Sequence, residues 1–289
     1  MTFNVIKIFG LSALSFFVGI ALTPLLTHYL YKFQLWRKVV REFAPDGQPT
    51  PIFNRLHAER EKKVPRMGGL LIWIVPLVLS VVFWLPGYLG SDSAFFTKLN
   101  FLSRAQTWLP LFTLVAASLV GFFDDIFQVY GKGKYIAGGI RFTRRLSLII
   151  LIALVGAYWF YFKLEESGVF IPFFGEFELG ALFPVFFLLV VIATFSGGVI
   201  DGIDGLAGGT LAAAFSAYAG IAYMQNQIDL AAFSAVIVGV LLSFLWFNIP
   251  PARFYMGETG IMGLTTALAV IAFLTDAVAA LPIIAFPIT

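Results

Sequence analysis

The chain has 289 residues, of which 60% are hydrophobic and only 12% are charged, and its mean hydropathy is +0.90. A composition this apolar excludes a water-soluble globular domain. The chain contains no cysteine, which excludes disulfides and thiolate metal sites.

Apolar runs close to the roughly 20 residues needed to cross a bilayer recur along the whole chain. They predict an all-α polytopic membrane protein with about nine transmembrane helices, forming a single integral domain over residues 1–289. A ninth run begins near Ala277, after eight predicted spans at residues 4–31, 67–88, 107–123, 146–162, 181–200, 206–224, 230–247 and 260–275.

A short β-hairpin is predicted between the fourth and fifth spans. Residues 169–179 alternate acidic and apolar side chains after Pro172 and Gly175. Most of the 19 Lys and Arg residues follow the first, third and seventh spans. Because cytoplasmic loops are enriched in basic residues, these loops are predicted to face the cytoplasm, with the N-terminus and the hairpin outside.

The acidic residues follow alternate spans. Asp124 and Asp125 come after the third span, Asp201 and Asp204 after the fifth, and Glu258 after the seventh. Two spans return a chain to the side that it left, so these carboxylates are predicted to share one face of the membrane. Acids at a membrane edge are costly and usually functional. Gathered carboxylate oxygens predict a divalent cation, and a cation there predicts a phosphate ligand.

Two further loops on the same face have polar residues suited to binding. In residues 247–260, Asn248 can both donate and accept hydrogen bonds, and the ring of Tyr255 can stack on a base. The basic run from His57 ends in Pro65 and paired glycines at the head of the second span, where it can present cations to phosphate.

Each motif also has a structural alternative. The acidic pair after the third span could be a solvated helix end, and an Asp in the motif after the fifth span could be a helix cap. The basic run could mark topology alone. The spacing of these motifs leaves the alternatives open when each is taken by itself.

Taken in order, the four loop motifs resemble those of the polyprenyl-phosphate N-acetylhexosamine-1-phosphate transferases, a glycosyltransferase 4-like family. The motifs are Lys63-Val64-Pro65-Arg66-Met67-Gly68-Gly69, Gly121-Phe122-Phe123-Asp124-Asp125, Asp201-Gly202-Ile203-Asp204-Gly205-Leu206-Ala207 and residues 247–260. The resemblance implies a Mg²⁺-dependent enzyme of the bacterial plasma membrane, with its active site facing the cytoplasm. Such an enzyme transfers a sugar 1-phosphate from a UDP-sugar to polyprenyl (undecaprenyl) phosphate and releases UMP.

The resemblance also implies a role for each matching residue. It implies catalytic Asp124, Asp125 and Asp201, metal-binding Glu258 and Asp201, and substrate-binding Lys63, Asp204, Asn248 and Tyr255. Within that set, Tyr255 matches an aromatic residue that stacks near the uracil.

The motifs divide between two branches of the family. Residues 65–69 favour the GlcNAc-1-phosphate branch, because the muramoyl branch usually has Thr where Arg66 stands. Residues 256–260 and the long segment 131–145 favour the muramoyl branch, which serves peptidoglycan synthesis. The balance leans slightly toward the muramoyl branch.

Some positions depart from the family pattern. Phe195 and Gly198 stand where relatives have Asn, and Glu258 stands where they have Asp. The chain also ends before the family's tenth span and the His-rich loop that precedes it. These departures leave open the alternative that the chain is a degenerate relative, which binds a UDP-sugar or lipid without catalysis.

The sequence leaves open one more function and the oligomeric state. An ion-coupled carrier is a further alternative, although acids at span ends and the lack of a visible repeat argue against it. A homodimer is compatible with the sequence, and we expect no nucleic-acid partner.

Overall fold

The computed structural model describes residues 2–36, 63–90, 93–103, 106–131, 139–200 and 203–284, except for the side chains of residues 199 and 200. Its helices are α1 (Thr2–Lys32), α2 (Leu70–Tyr88), α3 (Ala94–Leu99), α4 (Trp108–Tyr130), α5 (Phe142–Tyr158), α6 (Phe183–Ser196), α7 (Leu206–Met224), α8 (Ile228–Asn248), α9 (Glu258–Leu274) and α10 (Leu281–Ile284). A π-helical turn, Trp159–Lys163, extends α5, and 3-10 turns occupy Gly180–Leu182, Gly197–Ile200 and Val278–Ala280.

Six helices of the described ranges are long and apolar enough to cross a membrane. They are α1, α2, α4, α7, α8 and the segment Phe142–Lys163 that contains α5. Two shorter apolar helices, Gly180–Ser196 and Glu258–Leu274, match the fifth and eighth predicted spans. The chain is therefore a helical polytopic membrane protein, as the apolar runs predict.

The structure differs from the predicted elements at two places. The ninth apolar run contains only the 3-10 turn Val278–Ala280 and the four-residue α10 before residues 285–289, which lie outside the described part. Pro282 lacks the N–H that a continuous helix would bond to Val278, so these two turns do not merge. The short helix α3, between the second and third spans, was not predicted.

Helix α9 lies at the centre of the bundle. Every residue from 259 to 273 is buried, which is typical of a helix that is apolar all round. Small residues let α4 approach it closely. A Cβ atom on Gly121 would collide with the backbone carbonyl of Glu258, and one on Gly263 would lie 2.7 Å from the carbonyl oxygen of Leu114. The beginning of α9 is thus pressed against the second half of α4.

The predicted hairpin is present, and it lies at the other end of α9. Strand β1 (Gly168–Ile171) pairs antiparallel with β2 (Gly175–Glu178). The backbone N–H of Phe170 donates to Oδ1 of Asp276, just beyond the last residue of α9, at 2.9 Å. The 17 residues of α9 span about 25 Å, so the hairpin and the start of α9 lie at opposite ends of the spans.

Candidate functional site

The start of α9 is capped by a carboxylate from another helix. Oδ1 of Asp125 accepts the backbone N–H of Glu258 at 3.2 Å, and Oδ2 accepts that of Thr259 at 2.9 Å. The first N–H groups of a helix have no partner within the helix, and a negative charge is favourable there. Asp125 therefore fixes the backbone that carries the Glu258 side chain.

Gly257 makes this cap possible. Its φ is +74°, a conformation that favours glycine, and a Cβ atom there would collide with the carboxylate of Asp125. A residue with a side chain at this position would block the close approach of Asp125, which explains the glycine.

The loop before α2 packs against the loop before α9. The N–H groups of Gly68 and Gly69 donate to the carbonyl oxygens of Tyr255 and Met256 at 2.9 and 2.8 Å, and the N–H of Tyr255 donates to Pro65. This pairing places Nε of the buried Arg66 at 3.7 Å from Oδ1 of Asp125. The first and fourth sequence motifs therefore meet at the second.

Asp124 faces a different set of partners. Its carboxylate accepts hydrogen bonds from Nε2 of Gln128 at 2.6 Å, from the backbone N–H of Ile140 at 2.5 Å and from Nη1 of Arg145 at 3.2 Å. The same Nη1 atom lies 2.8 Å from Oε1 of Glu258. One guanidinium nitrogen thus lies between two carboxylates from different helices, and we call these three side chains the Arg145 bridge.

A second group of polar residues ties α7 to the loop after α8. Oδ1 of Asn248 accepts the N–H of Gly205 at 2.9 Å, and its Nδ2 donates to the carbonyl oxygen of Phe254 at 2.8 Å. Oδ2 of Asp204 accepts the N–H of Ala252 at 3.0 Å. The third motif is thereby joined to the fourth.

The structure brings five of the predicted site residues together in two groups. Asp124, Asp125 and Glu258 form one cluster, and Asp204 and Asn248 are held by the same loop, residues 249–257, which leads into Glu258. For the four predicted acids that the structure describes, these contacts agree with the prediction of one shared face of the membrane.

The remaining predictions have a more limited outcome. Lys63 is exposed, three residues before Arg66, whereas Tyr255 is buried at 7% exposure, so its ring is not an open stacking surface in this structure. Asp201 and His57 lie outside the described residues.

Sequence reasoning assigned no site role to Arg145. A usable signal was present, since two adjacent carboxylates need a nearby positive charge, and Arg145 lies in the first turns of the next spanning helix.

Asp124 and Glu258 are the described carboxylates whose chemistry is relevant to the predicted Mg²⁺. No group of three His, Asp or Glu residues in the described ranges is close enough to hold a metal by itself. Asp124 and Glu258 nevertheless direct oxygens at one cationic nitrogen. Mg²⁺ usually binds one or two carboxylates and completes its shell with water and substrate phosphates.

Gly198, one of the departures from the family pattern, also has a structural reason. A Cβ atom at this position would lie 2.5 Å from Cγ2 of Ile261 in α9. An asparagine side chain would therefore require Ile261 to move.

Fold and site together define a helical membrane protein whose charged loops gather at one end of its spans. Residues 107–276 match the family model described as Glycosyl transferase family 4. The chain is 33% identical, over 269 residues, to the phospho-N-acetylmuramoyl-pentapeptide-transferase of Anoxybacillus flavithermus, an alignment that covers 91% of this chain and 74% of that protein. The chain belongs to glycosyl transferase family 4, which confirms the family resemblance of the loop motifs.

Other relatives with the same name are similar over the same extent. The phospho-N-acetylmuramoyl-pentapeptide-transferase of Geobacillus thermodenitrificans is 31% identical over 271 residues, covering 91% of this chain and 74% of the relative. That of a Hydrogenobaculum species is 30% identical over 298 residues, covering 94% and 74%.

Proposed function

We propose that this chain transfers a phospho-sugar from a UDP-sugar to polyprenyl phosphate, releasing UMP, and that the sugar is N-acetylmuramoyl-pentapeptide. Family membership and the name shared by the relatives support the reaction. The observation that carries the proposal is the Arg145 bridge, in which α4, α5 and the distant α9 direct two carboxylates and a guanidinium to one place.

The reaction joins two anions. An oxygen of the lipid phosphate attacks the phosphorus that bears the sugar, and a new P–O bond forms as the P–O bond to UMP breaks. UMP leaves with the bridging oxygen, and the products are UMP and a polyprenyl-diphosphate sugar. Positive groups that are already in place lower the repulsion between the reactants and stabilise the charge that develops on the leaving phosphate.

The chain supplies these positive groups from several loops. Arg145 and Arg66 lie inside the carboxylate cluster, and the exposed Lys63 lies nearby in sequence, where it would meet a phosphate. Asp124 is placed to orient the lipid phosphate or to take its proton. Asp125 contributes by holding the backbone of Glu258.

Mg²⁺, when bound, would offset charge on the diphosphate. Asp124 and Glu258 are the described residues that would hold it, and Asp201 is a further proposed ligand and catalytic carboxylate. We assign Asp204, Asn248 and Tyr255 to the uridine nucleotide. For Tyr255 this role requires its ring to become uncovered when the nucleotide enters.

We further propose that the site faces the cytoplasm of a bacterium from the plasma membrane, within a single integral domain. The basic residues of the sequence support this orientation, because they accumulate in the loops that form the site. A nucleotide sugar made in the cytoplasm would then reach the site directly.

A UMP-release assay on the purified chain tests the function. Reactions contain undecaprenyl phosphate with either UDP-MurNAc-pentapeptide or UDP-GlcNAc, each with and without Mg²⁺. We expect Mg²⁺-dependent UMP release, faster with the muramoyl substrate, together with a lipid-linked sugar product. Faster release with UDP-GlcNAc would mean that the transferred sugar is GlcNAc and not N-acetylmuramoyl-pentapeptide. Binding of a UDP-sugar without any UMP release would contradict the enzyme proposal.

A further inference from the structure

The hairpin has one apolar and one acidic face. Val169 lies opposite Phe177, and Phe170 lies opposite Glu176. Side chains alternate along a strand, so Ile171 shares the face of Val169 and Phe177, whereas Glu178 shares the face of Glu176. Phe170 is the exception, because its ring shares the face of the two glutamates.

The apolar face is turned toward the bundle. Val169 is buried at 6% exposure and belongs to the core, and the bond from Phe170 N–H to Asp276 fixes β1 over the end of α9. The other face carries the exposed Glu176 and Glu178, and Glu176 borders a pocket that is also lined by Phe160, Phe273 and Asp276.

Beyond Val169 the apolar face has no cover among the described residues. Exposure is 37% for Ile171, 103% for Phe173, 88% for Phe174 and 58% for Phe177. We call these four residues the aromatic tip. A contiguous exposed apolar patch of this kind marks a surface that contacts a partner or a membrane.

The aromatic tip is connected at both sides to membrane-spanning elements. The π turn that extends α5 ends at Lys163, and the 3-10 turn that leads into α6 begins at Gly180. The apolar residues next to these connections, Phe162 and Leu182, are 62% and 65% exposed, as expected of side chains that face lipid. Lipid-facing side chains therefore lie at the helix ends on both sides of the hairpin, although Glu165 and Glu166 separate Phe162 from β1.

We propose that the aromatic tip inserts into the headgroup region of the bilayer, in the leaflet at the end of the bundle opposite to the Arg145 bridge. Aromatic side chains concentrate at the membrane–water interface, where their rings leave water without entering the acyl core. The acidic face of the hairpin stays in water. A lipid bilayer is the partner that fits, because the tip has three aromatic rings and no charge, and the helix ends on both sides of the hairpin carry exposed apolar side chains.

The absence of native cysteine makes the test clean. Phe174→Cys, and Glu176→Cys as the control on the acidic face, are labelled with an NBD fluorophore in the full chain. Each is reconstituted into phosphatidylethanolamine–phosphatidylglycerol nanodiscs, with or without lipids that carry a doxyl quencher near the headgroup. We expect the label at position 174 to be blue-shifted and quenched by doxyl lipid. The label at position 176 is expected to be quenched by aqueous iodide instead.

Two outcomes would overturn the proposal. In the first, iodide reaches the label at position 174 as readily as the label at position 176, so the tip lies in water. In the second, the label at position 174 is shielded from both quenchers in discs that hold two protein copies and is exposed to iodide in discs that hold one, so a second copy covers the tip. Phe173→Cys repeats the measurement if the variant at position 174 does not fold.

Discussion

Asp124 and Asp125 are neighbours in the sequence but serve different helices. Successive residues of an α-helix point about 100° apart, so one carboxylate meets α5 while the other meets the beginning of α9. Asp124 is bonded to Gln128, Ile140 and Arg145, whereas Asp125 accepts two backbone N–H groups at the start of α9. We therefore expect the two acids to fail in different ways when they are replaced.

Asp125→Ala should lower the stability of the fold. The substitution removes both acceptors from the first turn of α9, and losing a cap costs about 1–2 kcal/mol. Asp125→Asn keeps one oxygen acceptor and should fall between the wild type and the alanine variant. Thermal unfolding of the detergent-solubilised proteins measures the order of their stabilities. The substitution of an exposed residue, Glu176→Ala, is the control. An unchanged melting temperature for Asp125→Ala would show that the cap contributes nothing.

Arg145→Ala should reduce UMP release by about 100-fold or more, the loss typical of removing one preorganised charge-stabilising group. Without the guanidinium, the Asp124 and Glu258 carboxylates repel each other and a phosphate meets more negative charge. The adjacent and exposed Arg144 is the matched control, and Arg144→Ala should remain close to the wild type. Equal effects of the two substitutions would mean that the bridge has no special role.

At the scale of elements, the contact between α4 and α9 sets the geometry of the site. Gly121→Ala would drive a methyl group into the backbone at Glu258, and overpacking of this kind costs about 1–3 kcal/mol. Gly220, in α7, has open space around its Cβ position, so Gly220→Ala should be neutral or stabilising. Melting temperatures of both variants test the contact. If Gly121→Ala melts as high as Gly220→Ala, the two backbones are not in close contact.

The sequence predicted the spans because hydrophobicity along a stretch of about 20 residues is a local property. It also predicted one shared face for the acids, since counting spans fixes the side on which each loop emerges, and the contacts of Asp124, Asp204 and Glu258 agree with this. The cap formed by Asp125 and the bridge formed by Arg145 were not predictable in the same way. Both depend on how closely α4, α5 and α9 pack. Gly121 and Gly257 permit the close contact of α4 with α9, but they become neighbours of Glu258 and Asp125 only in the folded chain. Of the ninth run, the structure describes only residues up to 284, where a 3-10 turn and a four-residue helix stand.

At the scale of the whole molecule, the site and the hairpin occupy opposite ends of α9, so they should face opposite sides of the membrane. Single-cysteine variants test this arrangement in intact cells with a membrane-impermeant maleimide. Glu176→Cys should react from outside, and Lys63→Cys should react only after the membrane is permeabilised. Labelling of both variants from the same side would contradict the topology, and the reverse pattern would invert the orientation.

The proposed reaction requires Asp124 and Glu258, 134 positions apart, to act as one cation-holding unit. A double-mutant cycle on kcat/KM for UMP release measures this directly, with Asp124→Asn, Glu258→Gln and the combined variant. We predict that the double variant is less than tenfold worse than the more damaged single variant, while each single variant loses at least about 100-fold, so the coupling exceeds about 1.4 kcal/mol. Losses that simply multiply would show that the two carboxylates work independently and would contradict the site.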